Sequence, residues 1–358
     1  MQILYIGDNF TKITGGAAVI NRRNQTMLYQ VFGEQNVKSI YYDKRFSKFD
    51  YLPFYTSACT RDFYERLDQI INEQNISIVF ISHSMLGKLI YYIKRHFPKI
   101  KIIVFFHNIE KHYAQEFIRS DGLKHLPFYV IASYNERLSV KYSDFHITLN
   151  SRDSCLLNHF YKVDVDLELP TSFTDKYVVD RNKSVVDYSS IKYLFVGNAF
   201  FANTEGVKWF VFNVLPFVPG RLIVVGSGMN VLKSLESDKL EVHDYVEDLS
   251  SFYYDADLVV SPIFSGGGMK TKTAEALMYG KTVLGTREAL EGYLIKEEVV
   301  YECNSKSDYI ATIQRLVKSQ KINKFNKYSR ELFLNNYSIE STISIFEDWI
   351  EQQKIVVQ

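Results

Sequence analysis

The residues best suited to chemistry lie in one segment, residues 261–281, which reads SPIFSGGGMKTKTAEALMYGK. A short apolar run precedes a loop of three glycines and a methionine: Gly266, Gly267, Gly268 and Met269. Successive glycines can present backbone N–H groups to a diphosphate, and Lys270 and Lys272 are close enough in sequence to add positive charge. Because good helix formers follow, the order of strand, glycine loop and helix predicts a phosphate-binding loop.

This loop differs from the two best-known nucleotide motifs. A P-loop requires a glycine, four residues and then Gly-Lys-Ser or Gly-Lys-Thr, and the dinucleotide fingerprint requires Gly-x-Gly-x-x-Gly after the strand. Neither pattern occurs in this segment. Glu275 follows Gly268 by seven residues, about two turns into the predicted helix, where it could accept hydrogen bonds from ribose hydroxyls. Without the glycine loop, the same residue would be interpreted as a solvated helix glutamate.

A second glycine pair, Gly15 and Gly16, lies near the start of the chain. It follows an apolar strand that ends at Asp8, and a helix is predicted to start within residues 14–18. Glycines allow close backbone approach, and the free N–H groups of a first helical turn favour an anion. Taken alone, the pair is interpreted equally well as a plain turn.

The elements that would position these loops alternate along the chain. β-Branched and aromatic runs recur between amphipathic stretches, as expected of parallel sheets covered by helices on both faces. Strands are predicted at 2–8, 37–42, 76–82, 101–107 and 144–149, and again at 191–197, 221–226, 240–246, 258–262, 282–285 and 299–301. The predicted fold class is therefore α/β, with two doubly wound, Rossmann-like domains.

The domain boundaries follow from length and from the loss of this alternation. A chain of 358 residues exceeds what one hydrophobic core usually serves. We predict a first domain at 1–170, an interdomain connection at 171–190, a second domain at 191–338 and a terminal helix at 339–358. Doubly wound domains bind ligands outside the carboxyl ends of their strands, so a cleft between facing domains is the expected site.

Composition excludes several classes of protein. The formal net charge of +1 gives no global field for nucleic acid. Three widely separated cysteines, Cys59, Cys155 and Cys303, lack metal-ligand or disulfide-framework spacing and suit a reducing compartment. Met1 leads directly into a strand with no secretory signal, and the longest apolar run is too short to cross a bilayer. We therefore expect a cytoplasmic protein that is soluble or attached at the inner face of the cell membrane.

Further positions extend the glycine-loop pattern over nearly the whole chain. They are Gly15 and Gly16, His107-Asn108-Ile109-Glu110, Phe195-Val-Gly-Asn198, Asn203, Gly206-Val-Lys-Trp209, Val246-Glu-Asp248 and Glu291-Gly292. In this order they resemble the retaining glycosyltransferases of family 4, in the subgroup with Gly-Gly-Gly-x-Arg/Lys-x-Lys before the Glu-Ala of the helix. The resemblance implies the GT-B fold, with two Rossmann-like domains that face each other across a cleft.

The resemblance also implies an activity. The first domain would bind an acceptor hydroxyl of a glycan, lipid-linked or protein substrate, and the second would bind a nucleotide diphosphate sugar. UDP would be the carrier, the anomeric configuration would be retained, and neither a metal nor a prosthetic group would be required. His107 would contact the transferred sugar, while Asn198, Asn203, Val246 and the loop from Gly266 to Met269 would surround the donor. A lone histidine at a strand end is more often a structural hydrogen-bonding residue.

Two departures from the family pattern affect these assignments. The wider family has two glutamates, but the position eight residues before Glu275 is Gly267, so no carboxylate is assigned near the donor sugar. The family also places an Arg and a Lys after the first strand of the second domain, where this chain has Asn198 and Asn203. Neutralisation of the phosphates is therefore assigned to Lys270 and Lys272.

Other interpretations remain open at the level of sequence. A GT-B nucleotide-sugar epimerase or a non-catalytic GT-B partner subunit would share the architecture. The basic and aromatic stretch 88–101 could touch anionic lipid headgroups, although a solvated helix face is the better interpretation. Asp255 and Asp257 form an Asp-x-Asp pair, but they precede a strand and are interpreted as helix-end residues, not as metal ligands. The Glu110 carboxylate is expected to cap the helix after His107.

Overall fold

The computed structural model describes residues 1–8, 16–42, 59–179 and 185–353. Within these ranges the chain forms two compact units. The N-terminal unit comprises Met1–Pro170 together with Thr342–Gln358, and the C-terminal unit comprises Thr171–Ser341. Each unit is built on its own six-stranded sheet in which the paired strands are parallel.

The N-terminal sheet has the strand order β2-β1-β3-β4-β5-β6. Its strands are β1 (Gln2–Asp8), β2 (Val37–Tyr42), β3 (Ile76–Ile81), β4 (Lys101–Phe106), β5 (Phe145–Thr148) and β6 (Leu167–Glu168). The helices of its first segment are α1 (Gly16–Phe32), α2 (Arg61–Glu73), α3 (Gly87–His96), α4 (Glu110–Asp121), α5 (Leu126–Tyr142) and α6 (Ser151–Tyr161). Strand β4 is a nearly continuous apolar run and is buried from its second residue onward, as expected of a strand covered on both faces.

The C-terminal sheet has the strand order β12-β11-β10-β7-β8-β9. Its strands are β7 (Lys192–Val196), β8 (Arg221–Val225), β9 (Leu240–His243), β10 (Leu258–Ser261), β11 (Val283–Gly285) and β12 (Val300–Glu302). Its helices are α7 (Phe201–Asn213), α8 (Ser250–Asp255), α9 (Thr271–Met278), α10 (Lys306–Lys318) and α11 (Lys327–Asn336). Helix α12 (Ile339–Gln352) follows, and from Thr342 its residues belong to the N-terminal unit.

Both sheets reverse their strand order beside their first strand. In the C-terminal sheet, chain order runs outward from β7 to β8 and β9 on one side, and from β10 to β12 on the other. Loops that follow the two central strands, β7 and β10, diverge at this point and leave a crevice at the carboxyl edge of the sheet. This edge carries both the glycine loop after β10 and the residues after β7.

Most predicted elements are present within a few residues of their expected bounds, and two details differ. Strand β6 lies in a stretch where the apolar period fades, because a two-residue strand is too short to show one. Helix α9 begins at Thr271, so Glu275 is its fifth residue, little more than one turn into the helix and not two.

The predicted interdomain connection 171–190 falls within the C-terminal unit by its contacts. Its backbone pairs with the segment after α11, since Phe173 forms a parallel bridge with Ser338. None of the helices in the described ranges is both long and apolar enough to cross a membrane.

Candidate functional site

The glycine loop connects β10 to α9 and depends on glycine at two of its positions. Gly266 has φ 143° and Gly268 has φ 62°, backbone conformations that residues with a β-carbon rarely adopt. Gly267 lies outside that region, and Met269 is buried. The loop is therefore held in a shape that its sequence specifies, directly before the N-terminus of α9.

Lys270 is turned toward its own loop. Its Nζ donates to the carbonyl oxygens of Gly267 (3.1 Å) and Gly268 (2.9 Å) and to Oε1 of Glu288 (2.7 Å). The pair with Glu288 is mostly buried, with side-chain exposures of 12% and 21%. The predicted cation is thus at the loop, but it is neutralised by a carboxylate that sequence reasoning did not single out.

Lys272 is the buried cation of the site. Its side chain reaches back from α9 to the residues after β7, where Nζ donates to Oδ1 of Asn203 at 2.7 Å. The ammonium also lies 4.3 Å from the ring centroid of Phe195. Burial, and to a smaller extent the neighbouring Lys270, lowers the pKa of Lys272 to about 7, while Glu275 acts in the opposite direction.

Close backbone approaches bring these residues together. A β-carbon at Gly197 would lie 2.7 Å from Nζ of Lys272, and one at Gly206 would lie 2.1 Å from the carbonyl oxygen of Pro262. The second contact sets α7 directly against the end of β10. Asn203 is one turn before Gly206 on the same face of α7. The close contact of Gly206 with Pro262 therefore places the Asn203 side chain next to Lys272.

Asn198 and Asn203 form one polar group after β7. The Asn203 amide donates from Nδ2 to the carbonyl oxygen of Asn198 (2.9 Å) and to its Oδ1 (3.1 Å), while its own Oδ1 accepts from Lys272. Asn203 therefore holds the Lys272 ammonium, and Asn198 holds the amide of Asn203. Val246 is half-buried in the loop that joins β9, the outer strand of the sheet, to α8.

Glu275 lies beyond the loop on α9. The hydroxyl of Tyr253 donates to its Oε2 at 3.4 Å, and Tyr253 itself is buried and stacked on Tyr279 at 4.8 Å between ring centroids. Burial raises the pKa of Glu275 to about 7, against smaller lowering effects of Lys176, Tyr253 and Lys272. A carboxyl group in this position can accept hydrogen bonds from a pair of hydroxyls in either protonation state.

The N-terminal unit places His107 directly after β4, as predicted. His107 is 5% exposed, its Nε2 lies 3.3 Å from Oγ of Ser82, and its ring stacks on His83 at 5.6 Å between centroids. Burial holds its pKa well below the ordinary value, and nearby His83 and Arg23 add to that effect, so the imidazole is neutral at pH 7. Its Nδ1 is buried and has no hydrogen-bond partner in the described part of the chain.

The carboxylate that caps α4 is Glu136, not Glu110. Glu136 accepts from the backbone N–H groups of Glu110 (2.6 Å) and Lys111 (3.1 Å), while Ile109, the N-cap residue, has no side-chain capping bond. Glu136 could not be identified from the sequence, because it belongs to α5 and reaches the N-terminus of α4 only in the folded chain. Burial raises the pKa of Glu110 to about 8 and that of Glu136 to about 7.

The other predicted positions are the first glycine pair and the two aspartates near the end of α8. Gly16 is the first residue of α1, and Gly15 lies outside the described residues. Asp255 ends α8 and pairs with Lys192, and Asp257 pairs with Lys324 at 3.1 Å, so both carboxylates have local cation partners. Across the described ranges, no three His, Cys, Asp or Glu side chains are grouped so that they could hold a metal ion.

Two parallel six-stranded sheets with interleaved helices define the class: this is the two-domain α/β fold of the GT-B glycosyltransferases. The predicted fold class is thereby confirmed. A comparison with protein families agrees with this fold. Residues 190–319, which contain the glycine loop, match the sequence model of a family described as glycosyl transferases group 1. Comparison with curated protein sequences gives no significant match.

Three solved structures illustrate the likeness over the full chain. The apo form of the lipopolysaccharide outer core galactosyltransferase WaaB has a TM-score of 0.67 at 14% identity, over 99% of this chain and 100% of that one. HepE from Anabaena, solved with UDP, gives 0.66 at 12% identity over 98% and 100%. A glycosyltransferase from Rickettsia africae gives 0.66 at 13% identity over 99% of both chains. At these identities the likeness shows the fold.

Proposed function

We propose that the protein is a glycosyltransferase that moves a sugar from a nucleoside diphosphate, with UDP as carrier, to an acceptor hydroxyl. The observation that carries the proposal is the buried Lys272 ammonium, held by Asn203 beside the glycine loop at the point where β7 and β10 diverge. Burial disfavours the charged form of this lysine, and an anionic ligand beside it would favour the ammonium. The family match over residues 190–319 and the UDP and UDP-glucose complexes of HepE support a nucleotide sugar as that ligand.

Catalysis would depend on stabilising the leaving group. When the bond between the anomeric carbon and the diphosphate breaks, negative charge grows on the diphosphate oxygens. The ammonium of Lys272 and the backbone N–H groups of the loop would stabilise that charge more strongly than they stabilise the bound donor. Lys270 would join them only by exchanging Glu288 for the diphosphate. Glu275 would accept hydrogen bonds from the ribose hydroxyls.

The stereochemical course and the acceptor extend this proposal. By the family 4 resemblance, we infer retention through front-side attack of the acceptor hydroxyl on the anomeric carbon, with no metal ion. A neutral His107, fixed by Ser82, would act as a hydrogen-bonding contact for the sugar and not as a charged acid. We further propose that the transferred group is a hexosyl unit and that the acceptor belongs to cytoplasmic polysaccharide, glycolipid or glycoprotein assembly.

A ligand screen followed by a turnover assay tests the function. UDP and UDP-hexoses are expected to raise the thermal unfolding temperature more than the corresponding adenosine and guanosine compounds, since a ligand that binds only the folded state stabilises it. Turnover is then measured with UDP-hexoses and a panel of glycan and lipid-linked acceptors. An isomerised UDP-hexose formed without acceptor would favour an epimerase. Tight UDP binding without turnover on any acceptor would favour a non-catalytic subunit.

A further inference from the structure

The outer layer of the N-terminal unit contains a cavity that the proposed reaction does not use. It has a volume of about 470 Å³, within the roughly 300–1,000 Å³ typical of small-molecule sites. Five tyrosines, three basic residues and one leucine line it: Tyr64, Lys88, Tyr91, Tyr92, Arg95, His96, Tyr134, Leu138 and Tyr142. We call this cavity the tyrosine groove.

Two helix stripes form the walls of the tyrosine groove. Lys88, Tyr91, Tyr92, Arg95 and His96 of α3 are spaced by three and four residues, and so are Tyr134, Leu138 and Tyr142 of α5. Residues at this spacing share one face of a helix. The neighbouring residues of α3, such as Leu89, Ile90 and Ile93, are fully buried in the core. The groove therefore lies on the side of α3 that faces away from the sheet.

The groove is remote from the carboxyl edge of the sheet, where His107 lies. The last turn of α3 is fixed at the opposite edge, since Nζ of Lys94 donates to the carbonyl oxygen of Ile100 (3.3 Å) and to Asp144 (2.7 Å), just before β4 and β5 begin. Arg95 and His96 belong to that turn. A ligand in the groove would thus occupy a second site on this unit, separate from the strand ends.

Tyrosine gives the groove both aromatic faces and hydroxyl groups. Tyr64 and Tyr92 meet edge to face at 4.7 Å between ring centroids, and Tyr91 and Tyr142 do so at 4.9 Å. Tyr91 is 37% and Tyr134 is 40% exposed, so these two rings are accessible to a ligand. The hydroxyls of Tyr64, Tyr91 and Tyr142 form no hydrogen bond with any described residue. A sugar ring presents C–H groups on its faces and hydroxyls around its edge, and this combination of partners suits it.

The charge of the groove selects an anion. Arg95 is exposed and forms no ion pair with any described residue. Nζ of Lys88 lies 6.0 Å from the ring centroid of Tyr134, and Nζ of Lys141 lies 5.3 Å from that of Tyr142. The carboxylate of Asp68 accepts a hydrogen bond from the Tyr92 hydroxyl at 2.7 Å. A free guanidinium at the rim is well suited to a carboxylate or phosphate.

We propose that the tyrosine groove binds an anionic saccharide, a short run of sugar units that carries a carboxylate or phosphate. This inference rests on the proposed function, because a glycosyltransferase meets its product glycan at each turnover. The groove would hold a part of that glycan distant from the reacting hydroxyl. An anionic saccharide and a bilayer of anionic lipids both carry negative charge. The concave shape of the groove favours the chain of sugar rings over the flat bilayer surface.

Binding of defined probes tests the tyrosine groove. Trigalacturonate, maltotriose and vesicles of phosphatidylcholine with phosphatidylglycerol are each titrated into the whole protein by calorimetry, and saturation-transfer NMR reports ring contacts. We expect trigalacturonate to bind and maltotriose to bind at least about tenfold more weakly. Arg95→Ala and Tyr134→Ala are each expected to weaken trigalacturonate binding about tenfold. Both positions are exposed, so folding is expected to be unchanged.

Lys99→Ala is the matched control, because Lys99 is an exposed basic residue of the same stretch that does not line the groove. The inference is overturned if trigalacturonate does not bind, if Lys99→Ala weakens binding as much as Arg95→Ala, or if only the vesicles bind. The UDP-induced thermal shift is recorded for every variant. Since that shift reports the C-terminal unit, its absence would overturn the proposed function, whereas its presence with no saccharide binding would overturn only the groove.

Discussion

At the scale of single residues, the site depends on Lys272, whose ammonium is buried and held by an amide and an aromatic ring instead of a carboxylate. Lys270, two residues earlier, is paired with Glu288. The two lysines look equivalent in the sequence, but their surroundings give them different roles. Lys272 has no carboxylate among its hydrogen-bond partners in the described part of the chain, so in the proposed mechanism only Lys270 must first give up a carboxylate.

Removal of the Lys272 ammonium is expected to abolish most of the activity. Lys272→Ala should lower turnover about 10²–10³-fold, the usual effect of losing one donor that stabilises charge in the transition state. Turnover is measured with UDP-hexose at saturation. Lys208→Ala, which removes an exposed ammonium on α7, is the control and should retain full turnover. An active Lys272→Ala enzyme would remove the basis of the mechanism.

The lowered pKa of Lys272 predicts that UDP affinity depends on pH. A diphosphate binds the ammonium form of Lys272. Because burial lowers the pKa of Lys272 to about 7, only part of the protein carries that form above pH 7. Affinity should therefore decrease between pH 6.5 and pH 8.5, by up to about tenfold per pH unit above the pKa. Lys272→Arg keeps its charge over this range and should flatten the profile. Titration of UDP and of Glu275 affects the wild type and Lys272→Arg alike, so it cancels in the ratio of their UDP affinities at each pH. A ratio that stays constant from pH 6.5 to pH 8.5 would contradict the prediction.

At the scale of elements, glycines determine how closely the helices approach the strand ends. Gly206 sets α7 against Pro262 at the end of β10, and Gly197 leaves room for the Lys272 ammonium. The glycine loop itself needs only two of its three glycines for their backbone conformation. The geometry of the proposed phosphate site is thus distributed over several chain segments, of which only the loop is conspicuous in the sequence.

Gly206→Ala tests the packing of α7. The new β-carbon would lie 2.1 Å from a backbone oxygen, so α7 must shift away from β10 and carry Asn203 with it. We expect a stability loss of about 1–3 kcal/mol, the usual range for overpacking, and weaker UDP binding. Thermal unfolding and UDP titration measure the two effects. Glu205→Ala, an exposed neighbour on the same helix, should change neither, and unaltered UDP affinity in Gly206→Ala would contradict the proposed positioning.

The sequence predicted most strands because buried parallel strands are uninterrupted apolar runs between turn residues, as β4 and β8 illustrate. It could not predict the start of α9, since Lys270 has the backbone of an N-cap residue without a capping side chain. Nor could it assign the α4 cap to Glu136, because that contact joins residues 26 apart in the chain. The basic and aromatic stretch 88–101 was visible in the sequence, but the residues of α5 that line the groove with it required the fold.

At the scale of the whole molecule, the N-terminal unit is completed by the end of the chain. Phe346 of α12 is fully buried and packs edge to face against Phe32 and Phe80, at 6.4 Å between ring centroids in both pairs, and Trp349 packs against Phe145 at 5.4 Å. Helix α12 therefore contributes to the aromatic core of the first unit. Its sequence alone was compatible with either unit.

Phe346→Ala is expected to affect the two units differently. Loss of a buried phenylalanine typically costs about 3–5 kcal/mol, so unfolding of the N-terminal unit should move to lower temperature. UDP binding by the C-terminal unit should persist, since Phe346 belongs to the other core. Calorimetry with and without UDP separates the two responses. Phe212→Ala, which removes an exposed ring, serves as control, and a proportional loss of UDP affinity in Phe346→Ala would contradict this division.

The return of α12 has a consequence for how the molecule can be divided. The polypeptide passes between the units twice, after Pro170 and again after Ser341. A protease that cuts at one passage leaves the units covalently tethered through the other, so two cuts are needed to release them. For the same reason, a gene fragment that ends at residue 170 encodes an unfinished core. Supplying the last helix as a separate peptide would be required to complete it.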